Sequence, residues 1–88
     1  MKYVLISGSS GGMGLETIKK FTSNGYFVFG LDIKDNNEEI ENFEFIETDL
    51  RDLNSIKSAF EVIKKESNEL DSIISMAGIN LFGRVSVF

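Results

Sequence analysis

The sequence predicts an α/β fold built on a parallel sheet. Three observations support this prediction: short apolar runs typical of buried strands, segments of helical periodicity between them, and a glycine-rich loop that joins the first strand to the first helix. Strands that alternate with helices pair in parallel through right-handed crossovers. With 88 residues, the chain is one small domain at most.

The first strand is predicted over Lys2–Ser7, a nearly continuous apolar run of the kind found in strands buried on both faces. It leads directly into a glycine-rich loop over residues 8–14. A helix is then predicted to about Asn24, because Asn-Gly is a helix stop. Three apolar residues are expected on the packed side of this helix: Met13, Ile18 and Phe21.

Two further strands are predicted in the middle of the chain. Residues 26–31 form a second β-rich apolar run that ends at Asp32. Residues 34–42 are polar and acidic, which predicts a loop with at most one helical turn. Residues 43–48 place apolar Phe43 and Phe45 against acidic neighbours, an alternation that indicates a half-exposed strand.

A second helix and a fourth strand complete the predicted fold. Asp52 stands where it could cap the helix. Apolar residues follow at helical spacing: Leu53, Ile56, Ala59, Phe60 and Ile63. Residues 71–75 are predicted as the fourth strand. The expected architecture is a four-stranded parallel sheet, order 3-2-1-4, with a helix on each face.

Composition excludes several functions. The chain has no Cys and no His, which excludes thiolate catalysis, Ser-His-Asp triads and zinc sites of the Cys/His type; no metal site is predicted. A net charge of −5 argues against nucleic-acid binding. No apolar run approaches the roughly 20 residues of a membrane span, and the N-terminus does not resemble a signal peptide. We expect a cytoplasmic protein without a membrane partner.

The glycine loop is the main candidate for a functional site. Gly8 suits a sharp turn, Gly12 lets the backbone approach a pyrophosphate, and Gly14 lets the helix pack closely on the sheet. The first-turn N–H groups would face the phosphates, and Ser9 and Ser10 could add hydroxyl donors. Strand-to-helix turns also hold glycine for backbone reasons alone, so the loop by itself is weak evidence.

Asp32 strengthens the functional interpretation of the loop. An acidic residue about 20 residues after a loop of this kind completes the dinucleotide fingerprint of a Rossmann fold. Its carboxylate can accept hydrogen bonds from the adenosine ribose and would repel a 2′-phosphate, which favours NAD over NADP. The alternative is an ordinary surface aspartate at a strand end.

Four elements in order resemble the short-chain dehydrogenase/reductase family: the glycine loop, Asp32, Asp49-Leu50 and residues 75–78. Residues 7–14, Ser-Gly-Ser-Ser-Gly-Gly-Met-Gly, resemble its Thr-Gly-x-x-x-Gly-x-Gly loop, and Asp49-Leu50 is similar to its adenine-contacting Asp-Val/Leu pair. Residues 75–78, Ser-Met-Ala-Gly, lie where the family has Asn-Asn-Ala-Gly. The resemblance implies a partial Rossmann fold over residues 1–78, an NAD-dependent oxidoreductase, and these cofactor-binding residues: Gly8, Ser9, Ser10, Gly12, Met13, Gly14, Asp32, Ile33, Asp49, Leu50, Ala77 and Gly78.

The chain departs from the family pattern in its chemistry. Both asparagines of Asn-Asn-Ala-Gly are replaced, by Ser75 and Met76. The family's catalytic Tyr-x-x-x-Lys pair is absent, since Tyr3 is followed four residues later by Ser and Tyr26 by Gly. The resemblance therefore implies a cofactor-binding unit with no catalytic residue of its own, inactive alone.

Residues 79–88 are predicted to be an apolar segment of the same domain, and residues 84–88 alternate like a strand. In a four-stranded sheet the fourth strand would be an uncovered edge. Either this segment covers the missing surface, or two chains pair through that edge as a homo-oligomer, in the simplest case a dimer. Two functions besides an NAD-binding fragment stay open: a self-associating remnant that binds no nucleotide, and a dehydrogenase completed by another chain.

Overall fold

The computed structural model describes residues 1–35, 39–75 and 80–86, the last of these as the course of the backbone. Seven elements follow one another along the chain: β1 (Lys2–Ser7), α1 (Gly12–Ser23), β2 (Tyr26–Asp32), β3 (Phe43–Glu47), α2 (Leu53–Glu66), β4 (Glu69–Ser75) and β5 (Asn80–Ser86).

The sheet has the order β3-β2-β1-β4-β5, and its first four strands are parallel. Strand β1 is central, with Val4 opposite Val28 of β2 and Ser72 of β4. The predicted order 3-2-1-4 is therefore confirmed. Parallel pairing brings the carboxyl ends of β1, β2, β3 and β4 to one edge of the sheet, which we call the carboxyl edge.

Each face of the sheet packs against one helix, as predicted. Because successive strand residues point to opposite faces, neighbours in β1 enter different cores. Val4 and Ile6 pack with Ile18 of α1, whereas Leu5 packs with Ile63 of α2. Phe29 of β2 is fully buried and belongs to the same core as Leu5 and Ile63, on the face covered by α2.

The two helices begin and end for different reasons. The N-cap residue of α2 is Asp52, as predicted, and its carboxylate accepts a hydrogen bond from the N–H of Asn54 at 2.9 Å. Helix α1 ends at Ser23, and its C-cap residue is Asn24, whose N–H bonds back to the preceding turn. Gly25 follows with φ of +86°. That left-handed conformation is why glycine makes a helix stop here.

Two residues predicted to pack are exposed instead. Met13 of α1 is 76% exposed and Leu53 of α2 is 65% exposed. Both lie in the first turn of their helices, which starts at the carboxyl edge of the sheet. Helical periodicity correctly identifies the packed side of a helix, but it does not show where the underlying strands stop.

The prediction that β4 is an uncovered edge is wrong. Strand β5 pairs with it in antiparallel fashion, from Glu69 opposite Ser86 to Ile74 opposite Asn80, with a register shift between Leu70 and Ser72. A homo-oligomer through the edge of β4 would first have to displace β5. Separately, no helix in the described ranges is long and apolar enough to cross a membrane.

Candidate cofactor site

The glycine loop leaves β1 at the carboxyl edge and is tied by its backbone to the end of β2. Gly8 has φ of +71°, a conformation that other residues adopt at a cost. Its N–H donates to the carbonyl of Leu31 at 2.8 Å, and the N–H of Ser9 shares that carbonyl at 3.4 Å. The structure therefore has a sharp turn at Gly8, as predicted.

Gly14 and Gly12 are surrounded very differently. An ideal β-carbon on buried Gly14 would lie 2.6 Å from the carbonyl carbon of Ser9. Glycine is therefore required there because the helix packs on the loop backbone, not on the sheet as the sequence suggested. A β-carbon on Gly12 would have no described atom within 4 Å, so nothing in the described protein accounts for glycine at that position.

The N-terminus of α1 lacks the polar cap that α2 has. Its N-cap residue is Gly11, no side chain of the described residues caps it, and its first turn holds no acidic residue. The first N–H groups of a helix have no partner within the helix and carry partial positive charge. Gly11, Gly12 and Met13 at this end of the helix are exposed, an arrangement suited to binding an anion.

Asp32 ends β2 next to the loop, and backbone groups engage its carboxylate. Oδ2 accepts the N–H of Ser10 at 3.0 Å, and Oδ1 accepts the N–H of Ile33 at 2.6 Å. The hydroxyl of Ser10 in turn donates to the carbonyl of Lys34. Ser10, predicted as a phosphate donor, is thus bonded to the end of β2. Sequence analysis missed this link between Asp32 and the loop.

Ser9 points inward. Its side chain is 1% exposed, and its hydroxyl has no hydrogen-bond partner among the described residues. The hydroxyl lies close to Gly30 of β2, where an ideal β-carbon would be 2.7 Å from it and 2.7 Å from the ring of Phe43. The structure therefore places the Ser9 hydroxyl in the interior, away from the space beside Gly12.

Asp49 follows β3 at the carboxyl edge and is paired with Arg51. Its Oδ1 accepts the backbone N–H of Arg51 at 3.0 Å and the guanidinium Nε at 3.1 Å. These hydrogen bonds and the positive charge lower the pKa of the Asp49 carboxyl. The carboxylate, 40% exposed, remains an ionised acceptor at neutral pH.

Exposed apolar side chains gather at the same edge. Among the described residues, five large apolar side chains are exposed: Met1, Met13, Ile33, Leu50 and Leu53. Ile33 directly follows β2, and Leu50 lies between β3 and α2. Met13 and Leu53 lie in the first turns of α1 and α2. Such a rim gives a flat apolar group a surface on which to lie.

Two of the predicted cofactor-binding residues, and both tyrosines, are not part of the described site. Ala77 and Gly78 lie outside the described residues. The two tyrosines of the chain lie near the starts of β1 and β2, where Lys2 pairs with Tyr26, at the opposite end of the sheet from the loop. No group of three or more acidic residues that could hold a metal occurs within the described ranges.

Two surface depressions lie away from the glycine loop. One follows the end of α1 beside Phe21 and Tyr26, and another follows β3 beside Phe43 and Phe45. Neither of these two depressions includes a residue of the glycine loop. The candidate site is instead defined by its hydrogen-bonding groups, at the uncapped N-terminus of α1 beside the exposed Gly12.

A family model described as short chain dehydrogenase matches residues 2–88. Among solved structures, a short chain dehydrogenase from Leptospira borgpetersenii with bound NAD+ is 31% identical over 92% of this chain, with a TM-score of 0.77. Aldohexose dehydrogenase from Thermoplasma acidophilum is 28% identical over 96% of this chain, also with a TM-score of 0.77.

A 4-hydroxyisoleucine dehydrogenase complexed with NADH is 28% identical over 90% of this chain, with a TM-score of 0.75. The chain spans 33%, 32% and 35% of these three proteins, respectively. None of the curated proteins matches this chain.

Proposed function

This chain belongs to the short-chain dehydrogenase family, and we propose that residues 1–78 form its NAD(H)-binding unit. The observation that carries the proposal is the N-terminus of α1. Uncapped N–H groups, an open Gly12 and a tightly packed Gly14 occur together at the carboxyl edge of a parallel sheet. This is where dinucleotides bind in Rossmann folds.

The pyrophosphate is expected beside Gly12. The N–H groups of the first turn of α1 would bond to its oxygens, and the helix dipole would add to the attraction. A net charge of −5 works against an anionic ligand, but directed N–H groups at contact distance outweigh a diffuse field that salt screens within about 10 Å. Two of the similar structures contain NAD+ or NADH, which supports the choice of ligand.

Asp32 makes NAD the preferred dinucleotide. Each carboxylate oxygen can accept more than one hydrogen bond, so the two backbone contacts leave capacity for ribose hydroxyls. A 2′-phosphate beside this half-buried carboxylate would bring like charges together. Within the described ranges, the Asp32 carboxylate accepts hydrogen bonds from backbone N–H groups and from no basic side chain.

The adenine is expected beyond Asp32, on the side away from the glycine loop. Ionised Asp49 offers an acceptor for an exocyclic amino group, and exposed Ile33 and Leu50 offer apolar contact. Ala77 and Gly78, in the family's place beside the cofactor ribose, are part of the proposed site by resemblance.

We further propose that this 88-residue chain has no hydride-transfer activity by itself. Bound nicotinamide would supply the hydride chemistry, but a proton donor must also reach the substrate. Neither tyrosine lies at the carboxyl edge, and the chain has no histidine. The pairing of β5 with β4 supports the proposal that residues 79–88 belong to the same domain as residues 1–78.

Calorimetric titration of the purified chain with NAD and, in parallel, with NADP tests this function. We expect saturable binding of NAD and at least tenfold weaker binding of NADP. Absence of heat with both ligands, from protein that is folded by circular dichroism, would reject the binding function. The alternative of a structural remnant that self-associates would then be the better account.

A further inference from the structure

We infer that Asp32 is a positioning residue that holds the glycine loop in its binding conformation before any cofactor is present. The inference rests on the proposed function for its effect on cofactor affinity. Its structural part rests on contacts within the protein alone. Its practical consequence is that replacing Asp32 weakens NAD binding without a gain in NADP binding, because the loss of an ordered loop offsets the relief of charge repulsion at the 2′-phosphate.

Four hydrogen bonds join residues 8–10 of the loop to residues 31–34 at the end of β2. Two are made between backbone groups, from the N–H groups of Gly8 and Ser9 to Leu31. The other two need side chains: the N–H of Ser10 donates to Asp32, and the hydroxyl of Ser10 donates to the carbonyl of Lys34. The side-chain bonds form at Ser10, the last non-glycine residue before α1.

The glycine content of the loop makes these hydrogen bonds important for its conformation. Gly11 and Gly12 follow Ser10, are exposed, and have no described atom within 4 Å of where a β-carbon would stand. Glycines sample more backbone conformations than other residues and lose more freedom when they are ordered. A charged acceptor on a rigid strand restrains this segment, and charge-assisted hydrogen bonds are the stronger ones.

The carboxylate itself is held in place. The N–H of Ile33 donates to its other oxygen at 2.6 Å, and Asp32 is the last residue of β2, paired with Glu47 of β3. Asp32 therefore presents a fixed acceptor to the loop. If fewer molecules hold the loop in its binding conformation, the apparent dissociation constant rises in proportion.

The first test uses NMR to measure amide hydrogen-exchange rates of the full chain in the absence of cofactor. In Asp32→Ala we expect the Ser10 amide to exchange at least tenfold faster, while the core amide of Leu5 is unchanged. Asp32→Asn keeps one carbonyl acceptor and should give an intermediate rate. Glu47→Ala removes an exposed carboxylate from the paired position of β3 and is the matched control; it should leave Ser10 unchanged.

The second test measures NAD and NADP affinity for the same variants by calorimetry. We expect Asp32→Ala to lose at least tenfold in affinity for NAD and to show no gain for NADP. Unchanged Ser10 exchange in Asp32→Ala, or a tenfold gain in NADP affinity, would overturn the inference. If the wild-type chain binds neither dinucleotide, the proposed function fails, and the exchange rates alone still decide whether Asp32 holds the loop.

Discussion

The backbone of Ser9 occupies the space that a β-carbon on Gly14 would need. An ideal β-carbon on Gly14 would lie 2.8 Å from the Ser9 Cα, and the Ser9 carbonyl is nearer still. Backbone atoms on both sides of this contact cannot rotate away as a side chain could. The close contact of α1 with the loop thus depends on the absence of a side chain at one position.

Gly14→Ala is therefore expected to destabilise the fold. Relief of the overlap requires α1 or the loop to move, and overpacking of this kind costs about 1–3 kcal/mol. Urea unfolding followed by circular dichroism measures the change in the free energy of unfolding. Wild-type stability in this variant would show that the helix and the loop are not in close contact.

Gly12→Ala is the matched substitution with the opposite expectation. The added methyl group meets no described atom, and alanine in a helix is favoured over glycine by up to about 1 kcal/mol. The variant should be at least as stable as wild type. Calorimetry should nevertheless show at least a tenfold loss of NAD affinity, because the methyl group would stand where the pyrophosphate is expected. Unchanged NAD affinity would contradict the proposed position of the phosphates.

Ser9→Ala is expected to stabilise the protein. The hydroxyl is buried without a partner among the described residues, and an unsatisfied buried polar group costs about 1–3 kcal/mol. Ser10→Ala is the control, because it removes a hydroxyl that does donate a hydrogen bond, to Lys34. Thermal unfolding should rank Ser9→Ala above wild type and Ser10→Ala below it. The reverse order would mean that the Ser9 hydroxyl has a partner.

Glu44 of β3 should make stability depend on pH. Burial, and secondarily the charge of Glu66, raise the pKa of its carboxyl above the ordinary 4.5. The folded state therefore binds this proton more tightly than the unfolded state, so ionised Glu44 disfavours folding at neutral pH. Glu44→Gln should be more stable than wild type at pH 7.

That advantage should shrink as the pH falls through the raised pKa and should vanish once the side chain is protonated in both states, below 4.5. Glu47→Gln, an exposed residue of the same strand, is the control and should show no comparable gain. Urea unfolding at a series of pH values measures both variants. An advantage of Glu44→Gln that grows toward low pH would contradict the assigned causes.

The sequence was sufficient to predict the four parallel strands, their order 3-2-1-4 and the two helices. The strands and helices follow from local patterns, and the parallel pairing follows from their alternation along the chain. Buried parallel strands give apolar runs such as residues 2–7, and Asp52 and Asn24-Gly25 mark helix ends through their own backbone bonding. The exposure of Met13 and Leu53 was not predictable, because it depends on where the neighbouring strands end.

The candidate site was predictable as a set of residues but not as a set of contacts. Spacing placed Asp32 near the glycine loop, yet the hydrogen bond from Ser10 to Asp32 joins residues 22 positions apart. The direction of the Ser9 side chain and the partner of Gly14 likewise depend on how the loop crosses β2. Strand β5 was suggested by alternation alone, which does not indicate the strand it pairs with or the direction of that pairing.

The most direct test of a dinucleotide site at the glycine loop is an NMR titration of the ¹⁵N-labelled chain with NAD. The account predicts saturable shifts of the amides of residues 9–14 and of Ile33, with little change at Tyr26, at the opposite end of the sheet. Shifts that cluster at Tyr26 and the end of α1, or no shifts at saturating NAD, would contradict it.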